Sequence, residues 1–193
     1  MPEIKIGATS FALILLLLTF EGIPFTLTLI ICVLIHETGH ILASYAFGVK
    51  IRSVNFNLYG ARIELASSLS SYISEFLIAA AGPAANIVFG GIFVFLQSSQ
   101  NEGVSFFSLV NFSLALINML PISNLDGGRM ISCLTSQFFG SRVSYVITSA
   151  LSAVTIAALW IISVFLWLVF AENVSLFILC LYVFYSMIIK RGF

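Results

Sequence analysis

The stretch that decides the fold runs from residue 29 to residue 43 and reads LIICVLIHETGHILA. Its polar centre holds His36, Glu37 and His40, with apolar residues on both sides. A spacing of four residues puts the two imidazoles on one face of a helix, one turn apart, where they can share a metal ion. Glu37 stands beside the first histidine and can act as a general base on water activated by that metal. A carboxylate inside an apolar span is costly, which favours a functional role for it.

The same pattern allows a simpler interpretation. His36 and His40 are the only histidines in the chain. Two neutral, hydrogen-bonded imidazoles could face the interior of a helix bundle without any metal. The metal site remains the preferred interpretation because Glu37 lies between them in a stretch that carries no other charge.

The composition indicates a membrane protein. Hydrophobic residues make up 60% of the chain and charged residues 8%, whereas soluble domains have about 45–50% and about 25%. The apolar stretches are long and continuous, so we expect helices and not barrel strands. The predicted fold class is an all-α membrane protein with six transmembrane helices, at about 6–20, 24–47, 72–96, 104–121, 143–170 and 173–189. The net charge of zero argues against a nucleic-acid partner.

The basic residues predict the orientation of these six segments. If the N-terminus is cytoplasmic, all eight Lys and Arg residues fall on the cytoplasmic side, and the opposite loops carry only Glu21, Glu102 and Glu172. Basic residues in short loops favour the cytoplasm. Both termini are therefore predicted to be cytoplasmic. The eight residues are Lys5, Lys50, Arg52, Arg62, Arg129, Arg142, Lys190 and Arg191.

The connector between the second and third segments predicts a short β-hairpin. Apolar and polar residues alternate on both sides of Gly60 over residues 51–65, which is typical of two strands joined by a turn. An ordinary cytoplasmic connector is the alternative.

A catalytic zinc ion usually has three protein ligands and one open position, so a carboxylate or a thiolate must complete the site. Cys32 lies one turn before His36, too far along the helix axis for a metal held between the histidines, and a packing role is expected. Glu64 and Glu75 are expected to face solvent or the interface. Asp126, the only aspartate in the sequence, is the better candidate.

Asp126 lies in a predicted break of the fourth helix. Residues 118–128 read NMLPISNLDGG, in which Pro121 ends a helix and the glycine pair lets the backbone turn. Irregular backbone at membrane depth is tolerated where protein covers it or where it lines a wet cavity. In the predicted orientation, Asp126 and His40 can meet toward the cytoplasm. A helix-capping aspartate at the interface is the alternative.

An HExxH motif followed by NxxP and LDGG resembles the site-2 protease family of intramembrane metalloproteases. The layout is closest to the bacterial sporulation-protease branch, which has six spans. Residues 81–86, AGPAAN, also match a motif of that family. The resemblance covers roughly residues 30–130, although Asn124 stands where many relatives carry proline. It implies zinc ligation by His36, His40 and Asp126, catalysis by Glu37, and substrate contacts by Asn118 and Asn86.

These observations predict one polytopic metalloprotease domain over residues 1–193, with a core at 24–130 and a C-terminal helical hairpin at 143–189. It would use Zn²⁺ to hydrolyse a peptide bond of a membrane-spanning protein, with Asn118 as the donor to the oxyanion. The expected setting is the lipid bilayer of a bacterial or archaeal cell, with a regulatory membrane partner. A non-catalytic metal-binding membrane protein, either a transporter or an inactive protease-like scaffold, is the alternative. The intact Glu37 weighs against it.

Overall fold

The computed structural model describes residues 3–6, 15, 18–19, 22–49, 51–57, 60–65, 71–96 and 102–170. These residues form four helices and a small sheet. The helices are α1 (Gly22–Ala46), α2 (Tyr72–Phe95), α3 (Glu102–Asn118) and α4 (Asp126–Phe170), and the strands are β1 (Glu3–Ile6), β2 (Ile51–Asn57) and β3 (Gly60–Leu65). The chain divides into two compact units, Met1–Asn118 and Met119–Phe193.

Three helices in the described part of the chain are long and apolar enough to cross a membrane: α1, α2 and the Asp126–Phe165 part of α4. Helix α3 contains a shorter apolar stretch, Phe106–Asn118. Large apolar side chains such as Leu42 and Phe95 are exposed, whereas Asn86, Asn111 and Ser152 are fully buried. Membrane helices place small and polar residues at their contacts, so this distribution suits a lipid environment.

The prediction of an all-α fold with six transmembrane helices is wrong. The described residues contain four helices, of which three qualify as spans. The segment predicted at 143–170 is the second part of α4, which already begins at Asp126. Hydropathy missed this start because residues 126–142 mix apolar residues with polar ones. The segment predicted at 173–189, and most of the one at 6–20, lie outside the described residues.

The isolated β-hairpin predicted at 51–65 is corrected to a three-stranded sheet. Its strand order is β1-β2-β3, with β2 and β3 antiparallel. Strand β1 pairs in parallel with β2, and Ile4 lies opposite Val54. A four-residue strand far away in sequence leaves too short an alternating pattern to be recognised.

Within the first unit, α2 packs against both α1 and α3. Its contact with α1 depends on Gly39, because a Cβ there would lie 2.5 Å from the Ala81 carbonyl oxygen and 2.9 Å from the Ala85 Cβ. Small residues at such contacts let helix backbones approach closely. The close approach brings α2 beside the histidines of α1.

The second unit consists of the 119–125 loop and α4 in its described part. The backbone of α4 leaves helical geometry at Gly140, where φ is 78°, a conformation that glycine adopts without steric cost. Hydroxyl groups join the helical segments on the two sides of this kink: the Thr135 and Ser144 Oγ atoms lie 2.7 Å apart, and Ser144 donates to the Ser132 carbonyl at 2.9 Å. Ile122 of the loop belongs to the same buried apolar cluster as Ile156 of α4.

Candidate metal centre

The first unit holds two buried imidazoles in direct contact. His36 and His40 lie one turn apart on α1, and their side chains are 6% and 5% exposed. Their Nε2 atoms are 3.1 Å apart, and the ring planes meet at 82°. Two ligands at 2.0–2.1 Å from a tetrahedral zinc ion lie about 3.3 Å apart. The observed separation is close to that value.

The outer nitrogen of each imidazole has an oxygen as its hydrogen-bond partner. His36 Nδ1 lies 2.6 Å from Asn86 Oδ1, and His40 Nδ1 lies 2.7 Å from the Ile78 carbonyl oxygen. A carbonyl oxygen can only accept, so each Nδ1 donates and each neutral imidazole carries its lone pair on Nε2. The two lone pairs therefore point into the same small space. This donor set suits a divalent metal, and imidazole is a common zinc ligand.

Pro83 lies inside α2. It has no N–H to give to the carbonyl of Ala79, and its ring loosens the turn before it. The Ile78 carbonyl, one residue further back, accepts the bond from His40. The backbone of α2 thus orients a side chain of α1.

Gly82 preserves the space next to both Nε2 atoms. A Cβ at this position would lie 2.6 Å from His40 Cε1 and 2.8 Å from His36 Nε2, and it would also clash with His40 Nε2. A methyl group would therefore fill the place toward which both lone pairs point. Gly82, the glycine of the 81–86 motif, thus keeps the space beside both Nε2 atoms open.

Glu37 also lies in the first unit, next to His36 on α1, and is 8% exposed. Burying a carboxylate in apolar surroundings costs free energy unless it is paired or hydrogen-bonded. Its place beside a candidate ligand matches that of a general base.

Asp126 is in the second unit, where it is the first residue of α4 and is 8% exposed. Its Oδ1 lies 3.9 Å from Arg129 Nη1. The two following glycines let the 119–125 loop lie directly against the first turn of α4. A Cβ at Gly127 would lie 2.5 Å from the Leu120 carbonyl oxygen, and one at Gly128 would clash with the Ile122 carbonyl. The glycine pair thus holds the loop at the helix end that carries Asp126.

The two predicted amide residues differ in their surroundings. Asn118 ends α3 and donates from Nδ2 to the Leu114 carbonyl at 3.0 Å. Asn86 is fully buried beside His36, and its Nδ2 lies 2.7 Å from Asn111 Oδ1. Substrate contact by either residue stays a prediction. Sequence reasoning missed Asn111, and the signal that could have found it is an amide within an apolar helix.

The first unit thus brings His36, His40 and Asn86 into contact, with Glu37 next to His36 on α1. Asn118 is the last residue of this unit, and Asp126 lies in the second unit. The family model described as "Peptidase family M50" matches residues 24–104 and 97–162. The chain belongs to this family. The resemblance to site-2 proteases is thereby confirmed, and the family together with the apolar helices marks a multi-pass membrane protein.

Two curated relatives illustrate the family. One is the Synechocystis protein sll0528, whose name provisionally calls it a zinc metalloprotease. It is 29% identical over 127 residues, which are 63% of this chain and 34% of that protein. Stage IV sporulation protein FB of Bacillus subtilis is 29% identical over 115 residues, which are 58% of this chain and 40% of that protein. The chain thus matches between a third and two fifths of the length of these relatives.

A solved structure has a similar fold. The site-2 protease from Methanocaldococcus jannaschii matches with a TM-score of 0.70 and 22% identity, covering 94% of this chain and 87% of that one. At this level of identity the likeness concerns the fold alone.

Proposed function

We propose that the protein is an intramembrane zinc metalloprotease that hydrolyses a peptide bond of a membrane-spanning protein. The observation that carries the proposal is the pair of buried imidazoles, with Nε2 atoms 3.1 Å apart and each Nδ1 bound to an oxygen acceptor. Glu37 directly follows the first imidazole in the chain. Two imidazoles and a neighbouring carboxylate form the HExxH arrangement of zinc peptidases.

Asp126 is the proposed third ligand. Zinc in hydrolytic sites usually takes three protein ligands, and a carboxylate is a common one beside two histidines. Asp126 is the only aspartate in the chain, is buried, and has its backbone fixed by the Gly127-Gly128 contact with the loop. Membership in the family supports the assignment.

The chemistry divides among the side chains. A bound zinc ion would supply Lewis-acid activation of water and of the scissile carbonyl. Glu37 takes the proton from the attacking water and passes it to the leaving amine. Asn118 donates a hydrogen bond to the oxyanion with the second hydrogen of its Nδ2, while the first stays on the Leu114 carbonyl.

The substrate and the setting follow from the membrane character of the helices. A site buried among apolar helices favours a peptide bond within or next to a membrane span. The distribution of Lys and Arg supports cytoplasmic termini. A bacterial or archaeal cell membrane and a regulatory membrane partner are part of the same proposal.

The test compares the wild type with Glu37→Gln, both purified and zinc-loaded, on a panel of single-span membrane peptides. We expect both proteins to hold zinc, because Glu37 is not a proposed ligand. Cleavage by Glu37→Gln should be about 10²–10⁴-fold slower, the usual contribution of a general base. His36→Ala serves as the control that loses metal.

Two outcomes would contradict the proposal. Cleavage by Glu37→Gln at the wild-type rate would remove Glu37 from the mechanism. Stoichiometric zinc in both proteins, without cleavage of any peptide by either, would favour a metal-binding membrane protein that is not a protease.

A further inference from the structure

A chain of buried amides connects α1, α2 and α3 to one histidine. Asn111 of α3 donates from Nδ2 to the Phe107 carbonyl at 3.0 Å and to Cys32 Sγ at 3.1 Å. Its Oδ1 accepts from Asn86 Nδ2 at 2.7 Å. Asn86 Nδ2 also donates to the Cys32 carbonyl at 3.0 Å, and Asn86 Oδ1 faces His36 Nδ1 at 2.6 Å. Both amide side chains are fully buried.

The partners fix the direction of every bond in this chain. Each Nδ2 has two hydrogens, and each contacts two acceptors. Turning the Asn86 amide over would place its Oδ1 against the Cys32 carbonyl and Asn111 Oδ1, both of which are acceptors. Turning the Asn111 amide over would place its Oδ1 against the Phe107 carbonyl. Asn86 therefore presents an oxygen to His36, so His36 must donate from Nδ1.

We propose that Asn86 and Asn111 are positioning residues that act in series on His36. Asn111 fixes the orientation of the Asn86 amide, and Asn86 fixes the tautomer and the ring orientation of His36, so that its Nε2 lone pair points toward His40. The proposal concerns the metal site of the proposed function and rests on it. It gives Asn86 a role toward the metal ligand in place of the substrate contact predicted from sequence.

The two histidines of α1 are held by different kinds of group. His40 is oriented by a backbone carbonyl, which no side-chain replacement removes. His36 depends on a side chain, and that side chain depends on a second one. Partners that hold the outer nitrogen of a metal-ligating histidine contribute about 10–100-fold to metal affinity. The amide chain is therefore where mutations should weaken the site without touching a ligand.

The first experiment measures the tautomer directly in metal-free protein. The chain has two histidines, so ¹⁵N-histidine labelling gives few ring signals, and His36→Gln assigns them. In the wild type, we expect the neutral His36 ring to carry its proton on Nδ1. In Asn86→Leu, we expect that proton to exchange between Nδ1 and Nε2. Asn86→Asp should again give the Nδ1–H form, because a carboxylate oxygen accepts that bond, even though its second oxygen then faces the Cys32 carbonyl and Asn111 Oδ1 and lowers the stability of the fold. If Asn86 were purely structural, the His36 proton would be as mixed between the two ring nitrogens in Asn86→Asp as in Asn86→Leu.

The second experiment measures zinc affinity by chelator competition, with the visible spectrum of the Co²⁺-loaded protein as a second reading. Asn86→Leu should weaken zinc binding about 10–100-fold, and Asn111→Leu about fivefold, the effect of losing one neutral hydrogen bond. The double variant should bind no more weakly than Asn86→Leu, because the two amides act in series. Both single variants should alter the Co²⁺ spectrum.

Thr26→Val is the matched control. Thr26 is a buried residue of α1, and its hydroxyl bonds the Gly22 carbonyl at 2.9 Å. It should bind zinc as the wild type does. An unchanged His36 tautomer together with wild-type zinc affinity in Asn86→Leu would overturn the proposal that Asn111 and Asn86 act in series on His36. Additive losses in the double variant would overturn it as well. If His36→Gln binds zinc as tightly as the wild type does, the proposed function itself fails, and the positioning role of Asn86 and Asn111 fails with it.

Discussion

The substitution Gly82→Ala should weaken zinc binding strongly while leaving the helix intact. Gly82 belongs to α2, not to the helix that carries the histidines. A Cβ there would lie 2.8 Å from His36 Nε2 and 2.6 Å from His40 Cε1, whereas ordinary contact begins at 3.4 Å. The methyl group therefore competes for the space that a metal shared by both nitrogens would need.

The expected loss follows from the size of the clash. Relieving it requires displacing one or both rings by at least about 0.6–0.8 Å, the difference between these distances and 3.4 Å, and His40 Nε2 must move further. The hydrogen bonds at both Nδ1 atoms resist that movement, and metal–ligand distances tolerate only about 0.2 Å. We expect zinc affinity to fall about 10²–10³-fold, which corresponds to about 3–4 kcal/mol. Helix propensity favours alanine over glycine by about 1 kcal/mol, so the substitution should not destabilise the helix itself.

Chelator competition would measure the affinity, and thermal unfolding of the metal-free protein would show that the fold is retained. Gly91→Ala is the control, because it lies on the same helix and a Cβ there would meet nothing within 4 Å. It should keep wild-type affinity. A zinc affinity of Gly82→Ala within threefold of the wild type would refute the assignment of the space beside Gly82 to a metal ion.

Three further predictions concern the second unit. Asp126→Ala should weaken zinc binding by at least about 100-fold if the carboxylate is a ligand; a loss of only about 0.5–2 kcal/mol of unfolding free energy, with zinc affinity unchanged, would make it a helix cap instead. Gly128→Ala should lower the free energy of unfolding by about 1–3 kcal/mol, because its Cβ clashes with the Ile122 carbonyl; denaturation beside Gly91→Ala measures this, and equal stability would contradict the close contact. Ser152→Ala removes the acceptor of the Ser123 N–H, 2.9 Å away, and should cost about 1–3 kcal/mol in the same assay; an unchanged midpoint would show that another group takes its place.

The histidine-bearing helix was predicted well because its signals are local. Residues 24–47 were expected, and the helix runs from Gly22 to Ala46, since an uninterrupted apolar run fixes both its type and its length. The i, i+4 spacing of His36 and His40 fixes their common face once the helix exists. The family resemblance could be recognised for the same reason, because the HExxH motif is local.

Features that depend on distant parts of the chain could not be predicted. The pairing of β1 with β2 joins residues about fifty positions apart. The start of α4 at Asp126 and its kink at Gly140 depend on packing within the second unit, which hydropathy does not report. Asn86 was found as part of a motif, but its partners on α1 and α3 appear only when the helices are assembled.

The buried contact between Asn86 and Asn111 also bears on how the protein assembles in a bilayer. Membrane helices are inserted with largely apolar surfaces all round, so the lipid gives them little preference for any rotation about their axes. Rotating α3 by one residue, about 100°, would turn the Asn111 amide away from α2. Its Nδ2 would keep the Phe107 carbonyl of its own helix, but its Oδ1 would lose the bond from Asn86. Hydrogen bonds between membrane helices contribute about 0.6–2 kcal/mol each. The pair of amides thus favours one rotational register of α3 against α2 over the neighbouring ones.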